Sequence, residues 1–421
     1  MITEEARREL DAIWRIESPR VIAAVARIVR DLGAAEELAQ DAFVAALEQW
    51  PGEGVPRRPG AWLTAVAKRR AIDAVRRRQR LEGKLPVLGR QREVDEEAVL
   101  PDFEAVADEE EIDDGLLRLV CTACHPVLAT DARVALTLRL LGGLRTDEIA
   151  RAFLVPQPAV AQRIVRAKRA LSAAHVPFEV PQRSELQERL ASVLEVVYLI
   201  FNEGYAATAG RDWMRPDLCE EALRLGRVLA GLLPDEREVH GLVALMEIQA
   251  SRFRARVGVG GAPILLLDQD RSRWDRVLIS RGLRALERAS RLGPLGPYGL
   301  QAAIASCHAV ARSAEETDWP RIAALYGTLV QVLPTPVVEL NRAVAVSMAE
   351  GPAAGLRIVD WLVDEPALRG YHLLPSVRGD LLRKLGRERE ARAEFQRASL
   401  LARNEQERAL LMARAAGPAR S

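Results

Sequence analysis

Hydrophobic residues in the first 80 positions recur at the spacing of an α-helix. Ala39, Phe43, Leu47 and Trp50 follow one another at intervals of three or four residues, which predicts one buried stripe along a helix. Prolines and glycines then cluster between Pro51 and Gly60, and this cluster predicts a loop that ends the helix.

Helical spacing resumes at about Leu116 and predicts three further helices. One is expected to stop at Gly142-Gly143, and Thr146 is expected to cap the next. Ile149 and Phe153 are the expected buried pair of that helix. After a short turn at 155–158, the third helix carries an apolar stripe, which consists of Val160, Ile164, Ala167 and Leu171.

The chain beyond Pro181 again has helical spacing, interrupted by glycine and proline at short intervals. Helices of about a dozen residues joined by short turns predict stacked helical hairpins. The clearest repeat, Leu381–Ala402, resembles a tetratricopeptide helix pair. The pattern of hydrophobic positions therefore predicts an all-α protein.

Composition supports packed helices rather than a disordered chain. The protein has 421 residues, of which 49% are hydrophobic and 28% charged, enough for two to four domains with their own cores. Aromatic residues make up only 5%, whereas alanine, leucine, arginine and glutamate are abundant. This balance favours helices over β-sheets.

Charge is unevenly distributed, although the net charge is only +1. Lys68–Arg80 contains seven basic residues and one acid, whereas Glu93–Asp114 contains twelve acids and no base. Such separation indicates a surface that faces a polyanion. The segment 81–114 has weak periodicity and is interpreted as a flexible acidic linker, with a helical patch near its end.

The sequence favours a cytoplasmic protein without a membrane-spanning segment. Its charged N-terminus lacks an apolar signal core, and the longest apolar stretch, Val193–Phe201, is too short to span a bilayer. The four cysteines are then expected to be reduced thiols.

The segment from Arg145 to Leu171 has the pattern of a helix–turn–helix. Its second helix combines an apolar stripe with four cations, which suit phosphate contacts and the reading of guanine. These cations are Arg163, Arg166, Lys168 and Arg169. The alternative is an ordinary helical hairpin with a solvated basic face.

A second candidate surface lies on the helix that is expected to begin near Trp62. Arg69, Asp73, Arg76 and Arg77 share one face of that helix, and the same face begins at the tryptophan. Cations beside an aromatic ring suit a nucleic-acid strand whose bases are unstacked. A solvated charged helix is the alternative.

Taken together, these segments resemble sigma-70-type RNA polymerase sigma factors of the extracytoplasmic-function group. AAEELAQDAFVAALEQW resembles their region 2.2, PGAWLTAVAKRRAIDAVRRR their regions 2.3 to 2.4, and ARVALTLRLLGGLRTDEIARAFLVPQPAVAQRIVRAKRAL their region 4. VVYLIFNEGY, DQDRSRWD and LNRAVAV extend the resemblance to the subgroup with a C-terminal tetratricopeptide-like extension.

The resemblance implies four parts. These are region 2 at 1–80, the acidic linker at 81–114, region 4 at 115–178 and the helical extension at 182–421. It also implies two partners, core RNA polymerase (through its clamp helices and flap) and promoter DNA. A protein or peptide is a further candidate partner for the extension, and no cofactor is expected.

The resemblance also assigns roles to individual residues. Those implied to bind core polymerase are Glu37, Gln40 and Asp41. The loop from Trp50 to Ala61 is implied to capture a flipped base of the −10 element. Those implied to hold the −10 strand are Trp62, Lys68, Arg69, Arg70, Asp73, Arg76 and Arg77. Those implied to contact the −35 element are Gln162, Arg163 and Arg166, with Lys168 and Arg169 as further cations.

Two positions depart from the family pattern. Leu154 stands where the turn usually has glycine, so either a non-glycine residue takes a positive φ or the turn differs. Ala161 stands where many relatives have a basic residue that contacts bases, so the −35 sequence cannot be taken from them.

Three other motifs are interpreted mainly as structural. Cys121-x-x-Cys124-His125 has the spacing of a haem attachment site, but no export signal or further ligand accompanies it, and a buried role is favoured. Cys307-His308 is interpreted as a packed core pair. For Asp268–Asp275, a binding loop and a salt-bridged corner remain equally open.

The sequence therefore predicts a transcription initiation factor without catalytic activity or a metal site. One alternative is a helix–turn–helix repressor whose C-terminal domain senses a ligand, which leaves the basic helix after Trp62 unexplained. A second alternative, an enzyme within 182–421, lacks a nucleophile–base pair or a phosphate-binding loop in the sequence.

Overall fold

The computed structural model describes residues 4–82, 109–181, 183–258 and 262–417. The regular elements within these ranges are helices, which confirms the predicted all-α class. The chain divides into two compact units, 1–196 and 197–421. Most of the expected acidic linker, residues 83–108, lies outside the described residues.

The first unit begins with three helices that pack on one another in every pairing. They are α1 (Glu4–Val29), α2 (Leu32–Glu53) and α3 (Pro59–Glu82). Trp14 of α1 stacks on Phe43 of α2 with ring centres 4.7 Å apart. The predicted stripe on α2 is confirmed at its ends, where Ala39 and Trp50 are buried.

The loop expected from residue 50 to residue 61 is much shorter in the structure. The α2 helix continues to Glu53, and α3 already begins at Pro59. Pro51 lies inside the last turn of α2, where its fixed φ is compatible with a helix although it cannot donate a backbone hydrogen bond. Gly54 then takes a φ of +87° and donates its N–H to the carbonyl of Trp50.

Four helices follow in the first unit. They are α4 (Glu109–Ala123), α5 (Thr130–Leu140), α6 (Thr146–Phe153) and α7 (Gln157–Ala173). The α4 helix begins at Glu109, before the expected residue 116 and near the end of the acidic segment, where a helical patch was expected. Thr146 is the first residue of α6 rather than its cap, and the Glu148 carboxylate instead accepts the backbone N–H of Arg145 at 2.8 Å.

The boundary between the units falls within α8 (Arg183–Tyr205). The second unit contains ten further α-helices within the described ranges. They are α9 (Pro216–Leu232), α10 (Arg237–Ala250), α11 (Arg276–Arg291), α12 (Pro297–Val310), α13 (Trp319–Val332), α14 (Pro336–Glu350), α15 (Pro352–Leu362), α16 (Leu373–Lys384), α17 (Glu388–Leu401) and α18 (Glu405–Ala416).

Most of these helices pack against the next helix in the chain, as expected for stacked hairpins. The predicted repeat corresponds to α16 and α17, with Ala391, Phe395 and Ala398 fully buried between them and their neighbours. The α10 helix packs against α9, α11 and α12 and is buried along nearly its whole length.

Buried Asn404 ties the last helix to the loop that follows α8. Its side-chain amide donates to the carbonyls of Ala207 (3.3 Å) and Asp212 (2.8 Å). Its carbonyl oxygen accepts the first free N–H groups of α18, from Gln406 and Glu407. Residues about 200 positions apart are thus joined through one side chain whose nitrogen and oxygen are both hydrogen-bonded.

Candidate nucleic-acid and polymerase interfaces

The α3 helix presents a basic face to solvent. Leu63, Ala67 and Ala71 are fully buried on one side of α3, and this fixes the rotation of the helix. Arg69, Asp73, Arg76 and Arg77 are exposed on the other side, and Lys68 and Arg70 are half-buried. Three arginines therefore lie along one accessible side, in the arrangement expected from the sequence.

An aromatic pair stands at the start of this face. The rings of Trp50 and Trp62 meet edge to face with their centres 5.3 Å apart. Trp50 is buried, whereas Trp62 is partly accessible. The short loop at 54–58 connects the helices that carry the two rings, and Trp62 lies in the first turn of the helix that follows it.

The three residues expected to bind polymerase lie on α2. Glu37 and Asp41 are exposed, whereas the Gln40 amide donates to the carboxylate of Glu36 at 2.7 Å. Asp41 also lies 3.8 Å from the guanidinium of Arg70. The acidic edge of α2 and the basic face of α3 are thus neighbours.

The helix–turn–helix is formed by α6 and α7, and its turn depends on Leu154. This residue takes the left-handed conformation, with φ 51° and ψ 42°, which is the first of the two alternatives that the sequence left open. The N–H of Val155 donates to the carbonyl of Ala150 at 3.0 Å and closes the end of α6. The four residues of the expected stripe on α7 are all buried.

The polar side of α7 carries the residues expected to read DNA. Gln162, Arg166 and Arg169 are exposed, and Arg166 donates to the side-chain oxygen of Gln162 at 3.1 Å. Arg163 lies 3.5 Å from the Asp131 carboxylate of α5. These four side chains of α7 lie outside the buried stripe through which the helix packs.

Lys168 differs from the other cations of α7, because its ammonium group pairs with the carboxylate of Glu36. Glu36 is only 4% exposed, and its other oxygen accepts from Arg139 at 2.6 Å. This buried group joins α2 to α5 and α7. We call Glu36, Arg139 and Lys168 the Glu36 cluster.

Comparison with known proteins decides the family of the chain. Residues 13–81 match sigma-70 region 2, and residues 122–171 match sigma-70 region 4. The chain is 31% identical over 180 residues to the ECF RNA polymerase sigma factor SigK of Mycobacterium ulcerans (strain Agy99), covering 41% of this chain and 89% of that protein. The chain belongs to the extracytoplasmic-function sigma-70 factors.

The sigma factor also carries a C-terminal extension. Residues 189–290 match a family of unknown function (DUF6596). An uncharacterized protein of Rhizobium meliloti (strain 1021) is 45% identical over 394 residues, which cover 93% of this sigma factor and 92% of that protein. The similarity therefore extends through the helical second unit as well as the two sigma regions.

The cysteines of the C-x-x-C-H motif are buried in this sigma factor. Burial raises the pKa of Cys121 to about 11 and that of Cys124 to about 12, and the Cys124 thiol contacts the Thr137 hydroxyl at 3.3 Å. Both thiols are therefore protonated near neutral pH. Among the described residues, no group of three or more His, Cys, Asp or Glu side chains is arranged to hold a metal ion.

Within the described ranges, each helix is either too short or too polar to span a bilayer.

Proposed function

We propose that this sigma factor uses α2 to bind the clamp helices of core polymerase, α3 to hold the melted −10 strand and α7 to read the −35 element. We further propose the four-part division at 1–80, 81–114, 115–178 and 182–421, with the extension required for full activity. The observation that carries the proposal is the exposure of two basic helical faces on separately packed helices within a sigma factor.

The α3 face suits a single strand better than a duplex. Its arginines are mounted on a helix whose opposite side is fully buried, so they form a fixed cationic strip. A strip of this kind favours the phosphates of a displaced strand, and the partly accessible Trp62 adds an aromatic ring for an unpaired base.

The exposed side of α7 suits the major groove. A recognition helix docks through its apolar stripe and directs polar side chains to base edges. Arg163 and Arg166 are one turn apart and long enough for bidentate contacts to guanine. Arg163 forms an ion pair with Asp131, whose side chain is exposed to solvent. Replacing this partner of Arg163 by a base or a phosphate therefore costs little free energy.

The Glu36 cluster implies that the two sigma modules separate during initiation. The −10 and −35 elements lie about 25 base pairs apart, which is about 85 Å on B-form DNA. The α2 and α7 helices, however, are in contact through Glu36 and Lys168. Simultaneous engagement of both elements requires this contact to break, which frees Lys168 for DNA.

The extension is proposed to be required rather than merely inhibitory. Asn404 connects the start of the last helix to the loop after α8, so the second unit depends on its own C-terminal end. A helical array of this type offers an extended surface for a protein or peptide partner. Loss of α18 is expected to disturb the array as a whole.

Truncation tests this requirement. A chain ending at Pro181 is expected to bind core polymerase but to give little transcription from a reporter promoter. Because Ser192 of α8 donates to the carbonyl of Cys124 in the first unit, a second chain ending at Val196 controls for the loss of that contact. Transcription at or above the full-length level from either chain contradicts the requirement and favours an inhibitory extension.

A further inference from the structure

Three arginines of the second unit are buried or half-buried without a carboxylate partner among the described residues. Arg256 and Arg271 are 6% and 7% exposed, and Arg252 is half-buried. Burying a guanidinium normally costs more than one hydrogen bond returns, so such groups are usually paired with acids. These three are the exceptions that need a physical account.

Half-buried arginines elsewhere in the same unit do pair with acids. Arg215 pairs with Glu203, and the buried Glu247 is paired at 2.8 Å with Arg227, which is exposed. Arg378 lies 2.9 Å from Asp360 and also contacts Glu394. These other arginines thus have acidic partners. Among the described buried and half-buried arginines of the second unit, the lack of such partners is specific to the cluster of Arg252, Arg256 and Arg271.

The cluster is held together by aromatic rings. The guanidinium carbon of Arg256 lies 3.4 Å from the centre of the Tyr205 ring, and that of Arg252 lies 5.7 Å from the same centre. On the other side, Arg252 and Arg271 both lie within 6 Å of the Trp274 ring centre. Cation–π contacts stabilise each cation but leave the mutual repulsion of the three charges in place.

Arg271 belongs to the Asp268–Asp275 motif, for which the sequence left two interpretations open. The acids of that motif do not pair with it. Asp270 accepts from the Ser272 backbone and hydroxyl, and Asp275 caps α11 through the N–H groups of Val277 and Leu278. Arg271 instead donates to two carbonyls, those of His308 (2.7 Å) and Ala311 (2.9 Å), and to the Thr317 hydroxyl.

Four neighbouring side chains each retain a buried nitrogen that has no hydrogen-bond partner within the described ranges. The atoms are Nε of Arg252, Nε of Arg271, Nε1 of Trp274 and Nδ1 of His308. The two arginine nitrogens and the indole nitrogen are obligate donors. Buried donors without acceptors are rare in folded proteins, so their concentration here indicates a site for an acceptor-rich group.

The electrostatics of His308 agree with an excess of positive charge. Its burial, together with Arg252 and Arg271, lowers its pKa to about 4, so it is neutral near pH 7. Burial and the neighbouring Arg252 also lower the pKa of Arg256 and of Arg271. Glu315 and Glu316 attract Arg271 only from a distance longer than an ion pair.

We propose that Arg252, Arg271, Trp274 and His308 bind the oxyanion group of a small phosphate- or carboxylate-bearing molecule. An oxyanion supplies several acceptor lone pairs and a negative charge, which are the two things that this cluster lacks. Arg252 is the more exposed of these two arginines, whereas Arg271 is held in place by its three hydrogen bonds. The extension is thereby a sensor of a small anion, a role that goes beyond promoter recognition.

Calorimetric titration of the full chain tests the site, with inorganic phosphate, pyrophosphate and citrate as probes at constant ionic strength. Saturable binding of at least one probe is expected. Phosphate or pyrophosphate binding without citrate binding assigns a phosphate-bearing ligand, and the converse assigns a carboxylate. Chloride at the same ionic strength is expected to give no saturable heat.

Variants distinguish the site from a general effect of charge. Arg252→Gln is expected to weaken binding at least tenfold, and Arg252→Lys, which keeps the charge but loses the planar fork, to weaken it less. Arg254→Gln is the matched control, because Arg254 is exposed in the short 3₁₀ helix Phe253–Ala255, which directly follows Arg252. The proposal is overturned by a wild-type chain that binds none of the probes, or by equal binding in Arg252→Gln.

Discussion

Glu36 connects the two sigma modules within the first unit. Its carboxylate is buried and is shared between Arg139 and Lys168, two cations from different helices of the region 4 module. Removing one partner of a buried ionic group leaves the other charges without compensation, at a cost of about 3–5 kcal/mol.

Glu36→Ala is therefore expected to lower the free energy of unfolding by about 3 kcal/mol and to separate the modules. Fluorophores on Gln79→Cys and Ser172→Cys report the separation by energy transfer, since the four native cysteines are buried. Glu48→Ala, an exposed change on the same helix, is the control. Equal transfer efficiency and stability in the two variants contradict the role given to Glu36.

The unusual conformation at Leu154 could be anticipated from the sequence, whereas the buried ion pairs of Glu36 could not. The conformation of Leu154 is local, because a turn of this length between two helices requires one left-handed residue at a cost of about 1–2 kcal/mol. The partners of Glu36, by contrast, are Arg139 and Lys168, more than 100 positions away along the chain. The one signal in the sequence is that Glu36 lies between Leu32 and Ala39 on the buried stripe of α2. A buried acid requires a cationic partner, but the sequence does not indicate which residue that partner is.

Substitutions in α7, the proposed recognition helix, are expected to affect promoter reading. Arg163→Ala or Arg166→Ala is expected to weaken −35-dependent transcription by about 1–3 kcal/mol, because each arginine is long enough to contact a guanine edge. Binding to core polymerase is expected to persist. Quantitative transcription from templates with and without the −35 element measures the effect.

Asp131→Ala serves as the control for Arg163, because it removes the same ion pair from the other side. Near-normal transcription is expected from Asp131→Ala. If Asp131→Ala reproduces the loss, the ion pair and not DNA contact explains the Arg163 result.

The α3 helix is expected to act at a later step. The triple variant Arg69→Ala, Arg76→Ala and Arg77→Ala should form a closed complex but fail to open the strands, since those cations stabilise the displaced strand. Permanganate reactivity of unpaired thymines reports strand opening. The control is the triple variant Arg276→Ala, Arg281→Ala and Arg284→Ala, which removes the same charge from the exposed side of α11 and should leave the permanganate footprint normal. A normal footprint in both triple variants refutes the role assigned to α3.

Helices were easier to predict than their ends. The stripe of α7 was visible because packing on one side imposes a periodic pattern on the sequence. The end of α2 was misjudged because a proline usually ends a helix, whereas Pro51, whose φ is compatible with a helix, lies inside the last turn of α2. The proposed anion-binding cluster could not be predicted from the sequence, because its residues come from separate segments of the second unit. What its arginines share, among the described residues, is the lack of an acidic partner, and that can be seen only in the folded structure.

At the scale of the whole molecule, the chain combines an initiation factor with a helical extension. The sigma regions supply promoter and polymerase contacts, and the second unit is a helical array closed on itself through Asn404. The protein is therefore expected to confer promoter-specific initiation on core RNA polymerase and not to act on duplex DNA alone.

Run-off transcription from a pool of genomic promoter fragments measures this activity, with purified core polymerase in the presence and absence of the full-length protein. Discrete transcripts with mapped start sites are expected only when both are present, and the α3 triple variant should abolish them. Tight duplex binding by the protein alone, with no new transcript on addition of core polymerase, would contradict the account and identify a helix–turn–helix repressor.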